Sequence, residues 1–146
     1  MKNEMTFRPA TPADWPGIEE LLVAARLPLE GAADHLQNFV VGEVGGHLLC
    51  TGGFEQYAVT ALLRSVAVDA SLRGTGVGQQ LLQNLRLQAK ERGVVELYLL
   101  TTTAAAFFSK RGFSEIARAD TPSALQASRE FQGVCPASAT AMVAKL

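Results

Sequence analysis

The chain has 146 residues and a formal net charge of -1, with 48% hydrophobic and 18% charged residues. This composition is typical of one globular domain and excludes a disordered chain. The small net charge argues against nucleic acid as the main partner, and no apolar stretch approaches the roughly 20 residues that span a bilayer. We therefore expect a single domain over residues 1–146 that binds neither nucleic acid nor membrane.

The N-terminus and the cysteines indicate a compartment. The stretch MKNEMTFRPA lacks the apolar core of a signal peptide, so we expect a cytoplasmic protein. Cys50 and Cys135 do not form a metal-type pair, and we predict no metal site. We favour two small buried side chains over a disulfide between them.

Hydrophobic periodicity and turn signals place the elements. In the first half of the chain we predict a strand at 5–8, helices at 12–25 and 32–38, and strands at 39–44, 47–57 and 62–68. In the second half we predict a helix at 76–92, a strand at 96–101, a helix at 103–110, a strand at 113–117, a short helix near 123–131 and a strand at 139–146. Glycines 45 and 46 form the turn of a hairpin. This order predicts a mixed sheet with helices on both faces.

The stretch SLRGTGVGQQLL places Gly74, Gly76 and Gly78 after Arg73 and before the apolar part of the longest predicted helix. It matches neither the P-loop pattern nor the dinucleotide-binding pattern. The first turn of a helix carries unpaired N–H groups and a partial positive charge, and glycines let a phosphate approach the backbone closely. With the charge of Arg73 beside it, the loop predicts a phosphate cradle, and a glycine-rich turn without a ligand is the alternative.

Two motifs resemble those of the GNAT acyltransferases. VAVDASLRGTGVGQQLL resembles the family's acetyl-CoA-binding motif, in which Arg73, Gly76 and Gly78 fill the defining positions. AAAFFSKRGF, residues 104–113, resembles the downstream motif of an alanine, an aromatic pair, a basic residue and Gly-Phe. The resemblance covers nearly the whole chain. It implies the GNAT fold of the α/β (α+β) class, with a mixed central sheet splayed between its fourth and fifth strands and helices on both faces.

The resemblance also implies acetyl-CoA as co-substrate. The pantetheine arm of acetyl-CoA is expected between the strands at 62–68 and 96–101. Its pyrophosphate is expected on the N–H groups of residues 73–78, which we call the glycine loop. The implied cofactor-binding residues are Val66, Ala67, Val68, Arg73, Gly74, Thr75, Gly76, Val77, Gly78, Gln79, Phe107 and Phe108.

One position departs from the family pattern. Many members carry a tyrosine where Phe108 stands, and that hydroxyl protonates the leaving thiolate. Phe108 cannot donate a proton, so the thiolate must take one from water or from a side chain such as Ser65 or Ser109, or leave unassisted.

Three longer stretches narrow the resemblance. LLRSVAVD, LYLLTTTAAAFFSKRGF and SREFQGVCPASATAM together resemble the arsenic-resistance N-acetyltransferase branch, and part of the second is similar to the acetyltransferase domain of N-acetylglutamate synthase. The resemblance implies an enzyme, an N-acetyltransferase for the amine of a small, anionic, amino-acid-like acceptor. The alternatives are an acetyltransferase for peptide or protein N-termini and a non-catalytic acyl-CoA sensor. We expect a monomer or a homodimer.

Acyl transfer needs a neutral amine, and an α-amino group with a pKa near 8 is neutral in roughly one molecule in ten at pH 7. A modest base, or a water linked to one, is enough for such an acceptor. Glu55, near the end of the strand at 47–57, is the candidate catalytic base, and a solvated strand-end carboxylate is the alternative.

Arg64 is a single cation in the otherwise apolar stretch ALLRSVAV. Strand alternation predicts that it shares a face with Val66 and Val68. Since buried charges are normally paired, Arg64 either pairs with Glu55 or another acid, or binds the carboxylate of a substrate. Two further candidates for a substrate-binding clamp are Arg26 and Arg129.

Overall fold

A computed structural model describes residues 4–128, 131 and 138–146. The strands are β1 (Thr6–Pro9), β2 (Phe39–Val44), β3 (His47–Tyr57), β4 (Thr60–Val68), β5 (Glu96–Thr101), β6 (Ser114–Glu115) and β7 (Thr140–Lys145). The α-helices are α1 (Trp15–Ala24), α2 (Val77–Glu91), α3 (Ala105–Ser109) and α4 (Ser123–Gln126). Short 3₁₀ segments cover Pro12–Asp14, Ala33–Asn38, Ala70–Leu72 and Arg118–Asp120. The predicted bounds of β2, β3 and β5 are confirmed.

Short elements differ most from their prediction. The helix expected at 32–38 is the 3₁₀ segment Ala33–Asn38, in which His35 leaves helical geometry with φ of -117° and ψ of 21°. So few residues gain too few hydrogen bonds to offset the nucleation of an α-helix. The strand expected at 113–117 shortens to β6, and of the helix expected near 123–131 the structure shows α4, while residues 129 and 130 lie outside the described residues.

The sheet has seven strands in the order β1-β2-β3-β4-β5-β7-β6. Its pairs are antiparallel except for β4 and β5, which run parallel. That parallel pairing runs from Thr60 opposite Glu96 to Leu63 opposite Leu99, and β4 then continues to Val68 without a partner in β5. The predicted mixed sheet, splayed between its fourth and fifth strands, is thereby confirmed.

A β-bulge interrupts β4 where it leaves β5. Ser65 and Val66 lie opposite the single residue Gly52 of β3, and Ser65 has a positive φ of 61°. The extra residue shifts the alternation of side chains, so Val66 packs toward α2 while Arg64 points toward the loop that follows α1. The prediction that Arg64 shares a face with Val66 and Val68 is therefore wrong.

Helices cover both faces of the sheet. On one face, α2 packs through residues such as Leu81 and Leu85. On the other face, α1 packs through Ile18 and Leu22. Cys50 is a buried free thiol whose pKa is raised to about 11 by burial, and Cys135 lies outside the described residues. No helix in the described ranges combines the length and apolar character that crossing a membrane requires.

Candidate active site

A cleft of about 1110 Å³ opens where β4 and β5 separate. Its walls come from the loop after α1, the part of β4 that has no partner in β5, the glycine loop, the end of β5 and α3. The predicted site residues that line it are Arg26, Arg64, Val66, Ala67, Val68, Arg73, Gly74, Gly76, Gly78, Gln79, Phe107 and Phe108. The fold thus brings together residues that are far apart in the chain.

Among the described residues, three predicted site residues do not line this cleft. Thr75 and Val77 belong to the glycine loop, where the Thr75 hydroxyl donates to the carbonyl of Leu72 at 2.5 Å and Val77 is buried in the core. Glu55 is buried behind Arg64. Arg129 lies outside the described residues, so its predicted clamp role stays a prediction.

The glycine loop presents bare backbone at the start of α2. Gly74 and Gly76 have φ values of +81° and +87°, in the region that favours glycine. A Cβ at either position would have no protein atom within 4 Å, so the backbone conformation requires glycine here and crowding does not. Because Gly76 is the N-cap of α2, its loop places the unpaired N–H groups of the first helical turn beside the cleft.

Cations surround the opening. Arg73 and Arg26 are exposed, and in the described part of the chain neither guanidinium has a hydrogen bond or an ion pair. Arg111 also lines the cleft, where its guanidinium lies 3.9 Å from the ring centroid of Phe107 and donates to the Phe107 carbonyl at 2.9 Å. Sequence reasoning gave Arg111 no role of its own, although its spacing of four from Phe107 is that of neighbours on a helix.

Arg64 is the centre of a buried polar network. Its Nη1 donates to Glu55 at 2.7 Å, its Nε donates to the Ser65 hydroxyl at 3.1 Å, and its Nη2 donates to the carbonyls of Glu30 at 2.8 Å and Pro28 at 3.4 Å. Of the alternatives for Arg64, the ion pair with Glu55 is the one that the structure contains. The same guanidinium ties β4 to the loop that forms one wall of the cleft.

The carboxylate of Glu55 accepts from two sides. Tyr57 donates to its second oxygen at 2.5 Å. Burial by itself raises the pKa of Glu55, but hydrogen bonds from Tyr57, Arg64 and Ser128 outweigh burial and hold that pKa below its usual value. Burial and the neighbouring carboxylate raise the pKa of Tyr57 to about 12. Glu55 is therefore ionised at neutral pH, and its lowered pKa makes the carboxylate a weak proton acceptor.

A sequence profile of the acetyltransferase (GNAT) domain matches residues 35–115, more than half of the chain. The chain belongs to the GNAT acetyltransferase family. An amino-acid acetyltransferase of Pasteurella multocida is 27% identical over 131 residues, which are 84% of this chain and 30% of that protein. An uncharacterized N-acetyltransferase of Chlorobaculum tepidum is 30% identical over 89 residues, which are 60% of this chain and 57% of that protein.

Solved structures share the fold of this GNAT domain. N-acetylglutamate synthase from Neisseria gonorrhoeae, complexed with coenzyme A and N-acetyl-glutamate, superposes with a TM-score of 0.84 at 22% identity, covering 100% of this chain and 36% of the other. A Mycobacterium tuberculosis protein solved with CoA and NLQ gives a TM-score of 0.80 at 22% identity, covering 97% and 99%. The chain spans 30% and 57% of the length of the two curated relatives above.

The aromatic pair of this GNAT domain, Phe107 and Phe108, lines the cleft with rings that carry no hydroxyl group. The rings of Phe107 and Phe108 meet edge to face at 5.1 Å, and Phe108 packs in the same way on Phe113 at 5.5 Å. Of the two serines considered as alternative donors, Ser65 lines the cleft and is buried, whereas Ser109 is exposed and does not line it.

Proposed function

We propose that this chain is an acetyl-CoA-dependent N-acetyltransferase that transfers the acetyl group to the amine of a small, anionic, amino-acid-like acceptor. The observation that carries this proposal is the cleft that opens beyond the Leu63–Leu99 pair, with a bare glycine loop at one end. The strand edge of β4 that has no partner in β5 suits the amides of pantetheine, and a helix N-terminus beside Arg73 suits a pyrophosphate. Neighbours of the same fold are solved with coenzyme A bound.

Two further observations support an amino-acid-like acceptor. Several curated relatives are named amino-acid acetyltransferases, and the Neisseria enzyme is solved with coenzyme A and N-acetyl-glutamate, an N-acetylated amino acid. At the mouth of the cleft, Arg26 offers a guanidinium that has no hydrogen bond or ion pair among the described residues. We propose that Arg26 receives the acceptor's anionic group, with Arg129 as a second candidate. Arsinate analogues of amino acids present the same combination of amine and anion, so they belong in the acceptor screen below.

The proposed reaction places modest demands on the protein. The amine nitrogen adds to the thioester carbonyl, the carbon–sulfur bond breaks, and the amine loses a proton. We propose that Glu55 takes that proton through bridging water, since its carboxylate is ionised but lies behind Arg64. A free thiol has a pKa of about 8.5, so the thiolate can leave without the acid that Phe108 lacks.

Glu55→Gln should then lower turnover most at low pH, where neutral amine is scarcest, and leave acetyl-CoA affinity nearly unchanged.

The experiment is a thiol-release screen with acetyl-CoA. The acceptors are amino acids, their phosphinate and arsinate analogues, polyamines and short peptides with free N-termini. We expect release with amino acids or their analogues, in step with formation of the N-acetyl product. Faster release with peptides would favour the N-terminal acetyltransferase. Tight acetyl-CoA binding without release for any amine would favour the non-catalytic sensor.

A further inference from the structure

Ser65 holds a backbone conformation that serine rarely adopts. Its φ is +61°, at the bulge where β4 has already left β5. A non-glycine residue in the left-handed region costs energy and persists only where its surroundings fix it. Residues of this kind concentrate at functional sites, and Ser65 lines the cleft.

The hydrogen bonds of Ser65 leave its proton unused. Its Oγ accepts from the Nε of Arg64 at 3.1 Å, and an arginine can only donate. A hydroxyl also carries one proton to donate, and within the described ranges no protein acceptor receives it. Ser65 is only 6% exposed and is one of the residues that line the cleft. Buried donors normally have a partner, so we look to a ligand in the cleft for the acceptor of this proton.

Arg64 prepares this hydroxyl as a donor. The guanidinium is fixed by Glu55 and by the Glu30 carbonyl, so it holds the Ser65 oxygen from one side. A positive charge next to that oxygen repels the hydroxyl proton and directs it away from the guanidinium. The cation also withdraws electron density from the O–H bond, and this strengthens the bond as a hydrogen-bond donor.

We propose, on the basis of the proposed acetyl transfer, that Ser65 is a further catalytic residue whose hydroxyl donates to the acetyl carbonyl oxygen of acetyl-CoA. As the amine lone pair forms the carbon–nitrogen bond, the carbonyl electron pair moves onto oxygen and the Ser65 hydrogen bond strengthens. When that pair returns, the carbon–sulfur bond breaks and the thiolate leaves with its electrons. The amine proton goes to the base or to water, and Ser65 keeps its own proton throughout.

The test compares three variants with the wild type at saturating acetyl-CoA. Ser65→Ala removes the hydroxyl and keeps the positive φ, whereas Ser65→Gly removes the hydroxyl and relieves the backbone. We expect both variants to lose about a hundredfold in kcat, which is the lower end of the loss seen when one oxyanion-hole donor is removed. The acetyl-CoA dissociation constant should stay within about twofold of wild type. Ser109→Ala is the matched control, because Ser109 is exposed outside the cleft, and it should keep the wild-type rate.

A second readout needs no acceptor. In infrared difference spectra of acetyl-CoA labelled with ¹³C at the carbonyl, binding to wild type should shift the carbonyl stretch to lower frequency than binding to Ser65→Ala. Equal frequencies in the two proteins, or equal kcat values, would overturn the role of Ser65 while acetyl transfer itself stands. Failure of the wild type to bind acetyl-CoA would instead overturn the proposed function, and the role of Ser65 with it.

Discussion

Among single residues, Arg64 and Glu55 are expected to have a large effect on stability, because their side chains are 0% and 3% exposed and lie 2.7 Å apart. Removing one partner of a buried ion pair leaves an uncompensated charge, which destabilises proteins by roughly 3–5 kcal/mol. We therefore expect Arg64→Met to lower the free energy of unfolding by about that amount in denaturant titrations. The double variant Arg64→Met/Glu55→Met should recover most of the loss, since an apolar pair leaves no orphaned charge.

If Arg64 instead binds a substrate carboxylate, Arg64→Met should change activity and leave stability unchanged. An arginine that serves to bind a substrate carboxylate would leave the unfolding free energy near wild type when replaced by methionine. The variant would then lose activity with an amino acid and keep it with the corresponding amide. That combination of results would contradict the structural role and restore the prediction that Arg64 reads substrate charge.

The pH dependence of the unfolding free energy tests whether the fold stabilises the ionised carboxylate of Glu55. Its pKa is lower in the fold than in the unfolded chain, so its ionised form is the one that the native state favours. This contribution is complete above the unfolded pKa of about 4.3 and is lost as the pH falls through the lower, folded pKa. We expect the difference in unfolding free energy between wild type and Glu55→Gln to shrink as the pH is lowered through this range.

The same experiment has a built-in control. Asp14 is also held at a low pKa, about 2, chiefly by hydrogen bonds from Arg8 that outweigh its desolvation. Glu55→Gln keeps this second pair, so subtracting the variant's curve from the wild-type curve removes the contribution of Asp14. A difference that does not change with pH would show that the Glu55 carboxylate is not stabilised in the fold.

At the level of elements, the glycine loop and the end of α2 offer a matched pair of glycines. Gly76 and Gly93 have φ values of +87° and +86°, and a Cβ at either meets no protein atom within 4 Å. Valine should therefore strain both positions to a similar degree. We expect Gly76→Val to weaken acetyl-CoA binding at least tenfold in calorimetry, because its side chain occupies the proposed phosphate cradle, and Gly93→Val to leave binding unchanged.

Arg73→Ala tests the charge of the same loop without disturbing its backbone. A charge-assisted hydrogen bond to phosphate contributes about 1.5–3 kcal/mol, so we expect a loss of roughly tenfold to a hundredfold in affinity. If Arg73→Ala and Gly76→Val both bind acetyl-CoA as tightly as wild type, the loop is a glycine-rich turn without a ligand.

Elements with a long, regular hydrophobic pattern could be predicted from the sequence, and those fixed by tertiary contacts could not. The Gly45–Gly46 turn sets the ends of β2 and β3, and their bounds were predicted to the residue. The bulge at Ser65 has no local signal, because a serine at positive φ is held there by its neighbours and not by its own preference. Missing that bulge placed Arg64 on the wrong face.

At the scale of the whole molecule, the parts of the candidate site that depend on local sequence could be predicted, and the parts that depend on tertiary contacts could not. The cleft between β4 and β5 was predicted through motifs whose residues are adjacent in the chain, such as Arg73 and Gly76. The orientation of Glu55 depends on Arg64, on Tyr57 and on Ser128, which come together only in the folded sheet. Sequence reasoning could name Glu55 and Arg64 as possible partners but could not decide between partner and ligand site.

Binding of the proposed co-substrate should stabilise the whole folded chain against thermal unfolding. A ligand that binds only the native state, at a hundred times its dissociation constant, adds about 2.7 kcal/mol to the free energy of unfolding. For a chain of this length each kcal/mol raises Tm by about 2–4 °C, so acetyl-CoA should raise Tm by about 5–11 °C. Gly76→Val should lose this shift at the same acetyl-CoA concentration, while Gly93→Val, starting from its own lower Tm, should keep it. A Tm that stays constant in millimolar acetyl-CoA would contradict the assignment of the cleft to this co-substrate, whatever acceptor is later found.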